Sequence, residues 1–283
     1  MRTSEWIQIG FAILLAAAAW LQPFLLQPLV ARPLPLRRRW TITLLAVIPA
    51  VAVTLARASS RFLSPLYVAT LRDWLTVALF LVPYWQTGEF FQGPNRRIEA
   101  RLMAFDRWLM PRAAKTSGTP RTGLGMVLEV AYLFCYPLVP LGLLALYLTG
   151  QRSQVAGFWL VVLVATYLCY VITPFVPAYP PRDLAGGQPA PAQTGKARVF
   201  NRWILKHGSI HAISFPSAHV ASTMAVSLVL LRYTPWVGLG FLFVSIWIAL
   251  GAVVGRYHYA LDVLLGAVTA LAVFLACYLA MLI

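Results

Sequence analysis

Charged side chains are scarce in this chain of 283 residues. They make up 11% of the sequence, whereas soluble domains average about 25%. Acidic residues are the scarcest, with 8 Asp and Glu against 23 Lys and Arg, which leaves a net charge of +15. Hydrophobic residues account for 60% and mean hydropathy is +0.74, so one globule cannot bury the apolar surface and lipid must solvate it. This composition excludes a cytosolic enzyme and a disordered tail.

Cysteine is also rare. Its three copies, Cys135, Cys169 and Cys277, lie far apart inside apolar runs and lack metal-ligand spacing. This excludes a disulfide-built secreted module and predicts small hydrophobic side chains in packed helices. No metal and no cofactor are expected. Because no dense basic run stands apart from the apolar segments, we expect the excess cations to face anionic lipid headgroups, and no nucleic-acid partner.

Long apolar runs dominate the rest of the sequence. A membrane-spanning helix needs about 20 apolar residues, and the runs that approach this length lie at about 6–26, 40–56, 71–87, 124–148, 156–177, 215–231, 236–255 and 258–283. The first run follows Arg2, but Glu5 interrupts its start and further runs follow, which favours a membrane helix over a signal peptide. We therefore predict an all-α polytopic transmembrane helix bundle of about eight spans.

Two longer connections separate these runs. The connection 88–123 predicts an amphipathic helix that lies in the membrane interface or packs on the bundle as a surface helix. Its apolar face repeats at spacings of four, three and four residues, at Ile98, Leu102, Phe105 and Leu109. The connection 178–214 opens with Pro180-Pro181-Arg182 and continues into a Gly/Pro/Ala/Gln stretch to about residue 195. A rigid Arg before a flexible segment fits a substrate portal and equally fits an ordinary connector.

A polar segment at the start of the sixth run is the first candidate site. Pro216 is acceptable in the first turn of a helix, which places Ser217 and His219 beside free backbone N–H groups. The positive end of the helix dipole favours an anion there. The simpler alternative is a capping or surface histidine.

A second polar segment opens the last run. His258 and Asp262 are four residues apart, a spacing that puts them on one helix face. A carboxylate beside an imidazole can hold the Nδ1–H tautomer and leave Nε2 as a nucleophile or base. Arg256 lies within reach of the same anion. The alternatives are a merely satisfied His–Asp pair and an Arg that extends to the headgroups.

The third candidate is Arg182, whose planar guanidinium suits phosphate. With eight crossings, residues 182, 219 and 258 fall on one face of the membrane. Cations, N–H groups, a nucleophile and an acid together are what phosphoryl transfer requires.

These segments resemble the type-2 phosphatidic acid phosphatase superfamily. Its pattern is Lys-x6-Arg-Pro, then Pro-Ser-Gly-His, then Ser-Arg-x5-His-x3-Asp, and this chain carries Pro216-Ser-Ala-His219 and His258-x3-Asp262. Four segments are similar to the inositol phosphorylceramide synthase (inositolphosphotransferase) branch of this superfamily. Members of that branch move phospho-headgroups between lipids. The four segments are Pro-Pro-Arg182, His258-Tyr-x2-Asp262, Arg72-Asp-Trp74 and Asp106-Arg-Trp-Leu109. The resemblance covers about residues 70–283. It implies a catalytic membrane domain over 70–283, built from the last six spans, and two extra N-terminal helices in 1–69.

The resemblance also implies roles. His258 attacks phosphorus and forms a phosphohistidine, and Asp262 orients it. His219 protonates the leaving alkoxide and then activates the acceptor, water or an alcohol. Arg182 and Ser217 hold phosphate oxygens, and no metal takes part.

Two phosphate ligands of the family pattern are missing. Phe175 stands where the family has Lys, and Ala252 stands where it has Arg. These losses favour the synthase-like branch over ordinary phosphatases. The candidates to replace them are Arg256, Lys206, His207 and His211.

The sequence thus predicts a membrane enzyme acting on a phospholipid or lipid phosphate. Transfer of a phospho-headgroup to an alcohol and plain lipid-phosphate hydrolysis differ only in the acceptor. A non-catalytic lipid-binding or transport protein is the alternative of another class, although it would not need the pair of His258 and Asp262. Glu129, inside the fourth run, is either functional or paired with a neighbouring helix.

Two criteria disagree on the side of the membrane that holds the site. Of the 23 cations, 6 fall on the face of the N-terminus and 17 on the catalytic face, where Arg182 and Arg256 belong to the site. The positive-inside rule then places the site in the cytoplasm. The family resemblance places it outside the cytoplasm, and we favour that side.

Overall fold

The computed structural model describes residues 1–25, 33–110, 123–184, 196–210 and 212–283. These residues form twelve α-helices and no β-strand. In chain order the helices are α1 (Thr3–Leu25), α2 (Leu36–Ala58), α3 (Pro65–Leu79), α4 (Val82–Glu89), α5 (Arg96–Leu109), α6 (Gly123–Leu133), α7 (Leu138–Leu148), α8 (Val155–Ile172), α9 (Lys196–Gly208), α10 (Ala218–Tyr233), α11 (Pro235–Val254) and α12 (Ala260–Leu279). The predicted all-α class is confirmed.

Six helical segments in the described ranges are long and apolar enough to cross a membrane, which confirms a multi-pass membrane protein. They are Thr3–Gln22, Leu36–Arg61, Pro65–Glu89, Arg152–Phe175, Pro235–Val254 and Ala260–Leu279. The predicted run 124–148 corresponds to α6 and α7, which are bent by 70° and make a seventh span if they count as one. The predicted run 215–231 corresponds to α10, a shorter apolar helix of 16 residues.

The bend between α6 and α7 has a local cause. Pro137 precedes α7 and Pro140 lies in its first turn, where neither residue can donate the backbone hydrogen bond of a continuous helix. Within a membrane, such a break is tolerated where protein surrounds it or where it lines a cavity. Cys135 and Tyr136, at the break, line the cavity described below.

Helix α10 lies at the centre of the bundle and packs against α7, α8, α11 and α12. Its short length, about 24 Å at 1.5 Å per residue, is acceptable because its neighbours cover it. Gly266 of α12 allows a close approach at the start of α10: a Cβ there would lie 2.5 Å from the carbonyl oxygen of Ser217. The polar segments 216–219 and 258–262 therefore meet at one end of the bundle.

Ion pairs fix the opposite end of the bundle. Arg72 pairs with Glu5 at 2.6 Å, and Asp73 is bound by Arg2 and Arg152. These contacts join the start of α1, the middle of α3 and the start of the Arg152–Phe175 span. The segment Arg72-Asp-Trp74, part of the synthase-like resemblance, thus lies away from the two histidines.

Helix α5 is amphipathic, as its spacing predicts, and it packs on the bundle. Leu102 is buried with Ala178, Ile213 and Tyr259, and Ile98 packs against the same cluster. The structure thus has this helix packed on the bundle as a surface helix, and its position in the membrane interface stays a prediction. The division into 1–69 and 70–283 stays a prediction.

Candidate active site

The first turn of α10 carries Ser217 and His219. Ser217 is the N-cap, and its Oγ accepts a hydrogen bond from the N–H of Val220 at 3.4 Å. Ser214 accepts from the N–H of Ala218 at 3.3 Å. Two of the N–H groups expected to be free for an anion are therefore already capped by serine side chains. Ser217 is fully buried, whereas His219 is half-buried and faces the cavity.

The pair of His258 and Asp262 forms, but not on one helix face. α12 begins at Ala260, so His258 lies in the segment before the helix. Its Nδ1 is 3.2 Å from Oδ2 of Asp262, and the same oxygen accepts the N–H of Tyr259 at 3.3 Å. Asp262 thus caps its own helix and orients the histidine at once. The spacing of four has a second solution, a capping box, which periodicity alone does not distinguish from a continuous helix.

Burial and the nearby positive charge of Arg182 lower the pKa of His258 to about 3. Burial is the larger cause, because it penalises the charged form of the ring. The imidazole is therefore neutral at physiological pH. A neutral ring whose Nδ1–H is held by a carboxylate keeps a free lone pair on Nε2.

The two histidines face each other. Their ring centroids are 5.7 Å apart and the rings are nearly perpendicular, at 84°. Tyr132 and Tyr136 pack edge-on against His219, with centroids at 6.1 and 5.8 Å. Tyr132 also stacks on Tyr257 at 4.0 Å. Aromatic packing therefore holds His219 where His258 can share a ligand with it.

Arg182 joins the histidines from the loop after α8. Its N–H donates to the carbonyl of Arg256 at 3.1 Å, and its guanidinium lies 5.5 Å from the ring centroid of Tyr257. Arg256 adopts a left-handed backbone with φ of 61°, and its side chain does not line the cavity. In the structure Arg256 contributes its backbone carbonyl, and its contact with phosphate stays a prediction.

Arg182, His219 and His258 line one cavity of about 290 Å³. Its remaining walls are mainly apolar and aromatic, and they come from α3, α4 and α9 as well as from the bent pair α6 and α7. The wall residues from α3, α4, the junction between them and α9 include Val77, Phe80, Leu81, Tyr84, Trp85, Ile204 and Leu205. We call this space the chamber. Its lining combines one guanidinium and two imidazoles with apolar walls, which suits a phosphate attached to an apolar chain.

Neither of the two positions that lack the family ligands lines the chamber. Phe175 is 41% exposed and does not line the chamber. Ala252 is buried, and its carbonyl accepts the N–H groups of Tyr257 and His258 at 2.9 and 3.0 Å. Lys206 and His207 point outward from α9. His211 and the stretch 185–195 lie outside the described residues.

A buried ion pair beside the site joins α6 to α9, and the partner of Glu129 in this pair was left open by the sequence. Arg198 of α9 donates to Glu129 of α6 at 2.5 Å, and Asn201 and the hydroxyl of Tyr257 donate to the same carboxylate at 2.9 and 2.5 Å. Glu129 is therefore paired with a neighbouring helix, one of the two alternatives for it. The spacing of Arg198, Asn201 and Leu205 places them on one face of α9, but the sequence does not identify Glu129 as the partner of that face.

No group of three or more metal-ligating side chains occurs among the described residues. A family model, the PAP2 superfamily, matches residues 100–276. Comparison with curated proteins and with solved structures gives no significant match. The matched range contains Arg182, both histidines and Asp262, whereas the chamber wall from α3 and α4 lies before it.

Proposed function

Since this chain belongs to the PAP2 superfamily, we propose that it is a membrane-embedded lipid phosphatase or phospho-headgroup transferase that works through a phosphohistidine on His258. The convergence of Arg182, His219 and His258 on one chamber with apolar walls carries this proposal. These three side chains suit a phosphoryl group, and the apolar walls suit the apolar part of a phospholipid or lipid phosphate.

In the first step, Nε2 of His258 attacks phosphorus while the bond from phosphorus to the leaving oxygen breaks. Asp262 accepts the Nδ1–H of His258 and stabilises the positive charge that forms on the ring. Arg182 binds the oxygens that gain charge. The negative charge of the bound phosphate favours the protonated form of His219, which then gives this proton to the leaving alkoxide.

In the second step, the neutral His219 takes a proton from the acceptor, which attacks phosphorus and releases His258. Water as the acceptor gives a phosphatase, and an alcohol gives a transferase. Replacement of the two usual ligands by Phe175 and Ala252 supports the synthase-like branch and hence an alcohol acceptor. Ser217 supports this site indirectly, because its buried hydroxyl caps the helix that carries His219.

A non-catalytic lipid-binding protein is less consistent with these contacts. Binding an anion requires cations and N–H groups, whereas a carboxylate that orients a buried neutral imidazole adds nothing to it. The geometry of His258 and Asp262 therefore favours chemistry over simple binding.

The test is a single-turnover experiment with purified protein and two donors labelled in the phosphate, phosphatidate and a phosphodiester lipid that carries a headgroup, with and without lipid alcohol acceptors. Products are separated as free phosphate and new phospholipid, and the protein is quenched without acid and mapped for phosphohistidine. His258→Ala should lose both turnover and the label. His219→Ala should lose turnover but still label slowly from a donor with a good leaving group, which needs no proton.

His207→Ala is the matched control, because His207 is an exposed histidine on α9 outside the chamber. It should behave as wild type. A label on His219, or full activity in His258→Ala, would overturn the assignment of the nucleophile.

A further inference from the structure

Helix α5 directs two acidic side chains at the segments that carry the site. Glu99 is 2% exposed, and its Oε1 accepts the N–H of Tyr179 at 3.0 Å. Asp106 is half-buried, and its Oδ1 accepts the N–H of Ala260 at 2.8 Å. Glu99 and Asp106 are seven residues apart, two helical turns, so both lie on the inner face of α5.

The two segments bound by α5 are those of Arg182 and His258. Tyr179 precedes Arg182 by three residues, and Ala260 follows His258 by two. The segments are also joined directly, because the hydroxyl of Tyr259 donates to the carbonyl of Tyr179 at 3.0 Å. α5 therefore connects the phosphate-binding arginine to the nucleophile from outside the chamber.

The bond from Asp106 meets a specific need of α12. The first N–H groups of a helix have no partner within the helix. Asp262 binds the N–H of Tyr259, and Asp106 binds the next one, at Ala260. A carboxylate at this end also interacts favourably with the helix dipole.

We propose that Asp106 is a positioning residue: its carboxylate holds the first turn of α12 so that Asp262 keeps His258 aligned for attack on phosphorus. This rests on the proposed function. Asp106 does not line the chamber, so it acts through α12 and not on the substrate.

The ionisation of Asp106 gives the proposal a distinctive signature. Burial raises the pKa of Asp106 to about 6, the N–H of Ala260 and the charge of Arg256 oppose this rise, and the charge of Asp262 adds to it. Tyr259 is a further titratable group close to Asp106. As the pH falls through about 6, Asp106 becomes neutral in the folded protein and accepts the bond from Ala260 more weakly.

Protonation of Asp106 should change the pH dependence of kcat/KM. kcat/KM reports ionisations of the free enzyme and of the free substrate, so the profile is measured with a phosphodiester lipid, whose phosphate does not titrate near this pH. In the wild type kcat/KM should fall below a pH of about 6. His258, with a pKa of about 3, does not account for an inflection there. Asp106→Asn keeps an oxygen acceptor without the charge, so its kcat/KM should be low and should lack this inflection.

The variants to compare are Asp106→Asn, Asp106→Ala and Arg101→Gln. Misplacement of a reacting group by about 1 Å can cost about 10²-fold in rate, so we expect a loss of kcat of about that size in Asp106→Ala and a smaller one in Asp106→Asn. KM should change little, because the chamber walls are untouched. Arg101 is exposed on the same helix, and its variant should match wild type. An Asp106→Asn protein that is less stable but keeps both kcat and the inflection would overturn the proposal.

A second measurement does not depend on activity. Hydrogen exchange at C2 of each imidazole, followed by mass spectrometry, reports its pKa and exposure. In wild type, His258 should exchange slowly and His207 quickly. Asp106→Asn should speed exchange at His258 alone, even if the protein proves to lack the proposed activity. Unchanged exchange at His258 would refute the positioning role whether or not the protein is an enzyme.

Discussion

Replacing Asp262 by Asn tests the carboxylate that orients the nucleophile. The change keeps the size of the side chain and removes one charge. In the structure Oδ2 of Asp262 accepts from both His258 and Tyr259, while Oδ1 has no hydrogen-bond partner among the described residues. An amide has one oxygen and one NH₂ group, so it can occupy this place in two orientations.

With its oxygen toward His258, the Asn side chain keeps both bonds without charge assistance. With its NH₂ toward His258, the ring must accept at Nδ1 and carry its proton on Nε2, which removes the nucleophilic lone pair. The second orientation also sets the NH₂ group against the N–H of Tyr259, so the first is favoured. A lost charge-assisted bond is worth about 1.5–3 kcal/mol, or roughly 10- to 150-fold in rate, whereas a wrong tautomer costs about 10⁴-fold. We expect a loss of kcat of about 10²-fold.

The assay is the single-turnover rate of phosphoenzyme formation on detergent-purified protein, with thermal unfolding as the check on folding. Glu89→Gln is the control, since it also converts a carboxylate into an amide, at a partly exposed residue that does not line the chamber. That variant should keep nearly full activity. A folded Asp262→Asn protein with wild-type rates would refute the view that this carboxylate orients the nucleophile.

Three further predictions concern charge, stability and sidedness. Arg182→Lys keeps the charge but loses the bidentate guanidinium, so turnover should fall by about 10²–10³-fold. The same change at the exposed Arg202 of α9 should have no effect on turnover. Normal turnover in Arg182→Lys would mean that another residue holds the phosphate. Glu129→Gln leaves Arg198 buried beside a neutral partner and should lower the free energy of unfolding by about 3–5 kcal/mol, seen as a lower Tm; an unchanged Tm would show that the pair contributes nothing. A cysteine replacing Lys206 should react with an impermeant maleimide from outside intact cells. A cysteine replacing Ser153, on the opposite face, should react only after permeabilisation. The reverse pattern would place the chamber on the cytoplasmic side, as the positive-inside rule predicts.

The helices of this protein could be predicted from composition and apolar runs because lipid leaves the backbone few alternatives to a helix. The apolar length of a run does not encode a bend, so residues 124–148 were predicted as one continuous segment. Pro137 and Pro140 are the local signal of the 70° break.

The site was partly within reach of the sequence, because short motifs place His219, His258 and Asp262 at helix starts. The contacts that support them were not, since each joins segments far apart in the chain. Asp106 meets Ala260 across 154 residues, and Glu129 meets Tyr257 across 128. Such pairs have no periodicity, and only the packed structure brings them together.

Part of the chamber wall comes from residues that precede the range matched by the family model. The match begins at residue 100, yet Val77, Phe80 and Trp85 form part of the wall. A truncated protein that starts at residue 100 would keep both histidines and open their chamber to the surrounding lipid. A chimaera that exchanges only residues 65–89 with those of a relative would, conversely, leave the reacting groups in place and change which apolar chain fits beside them.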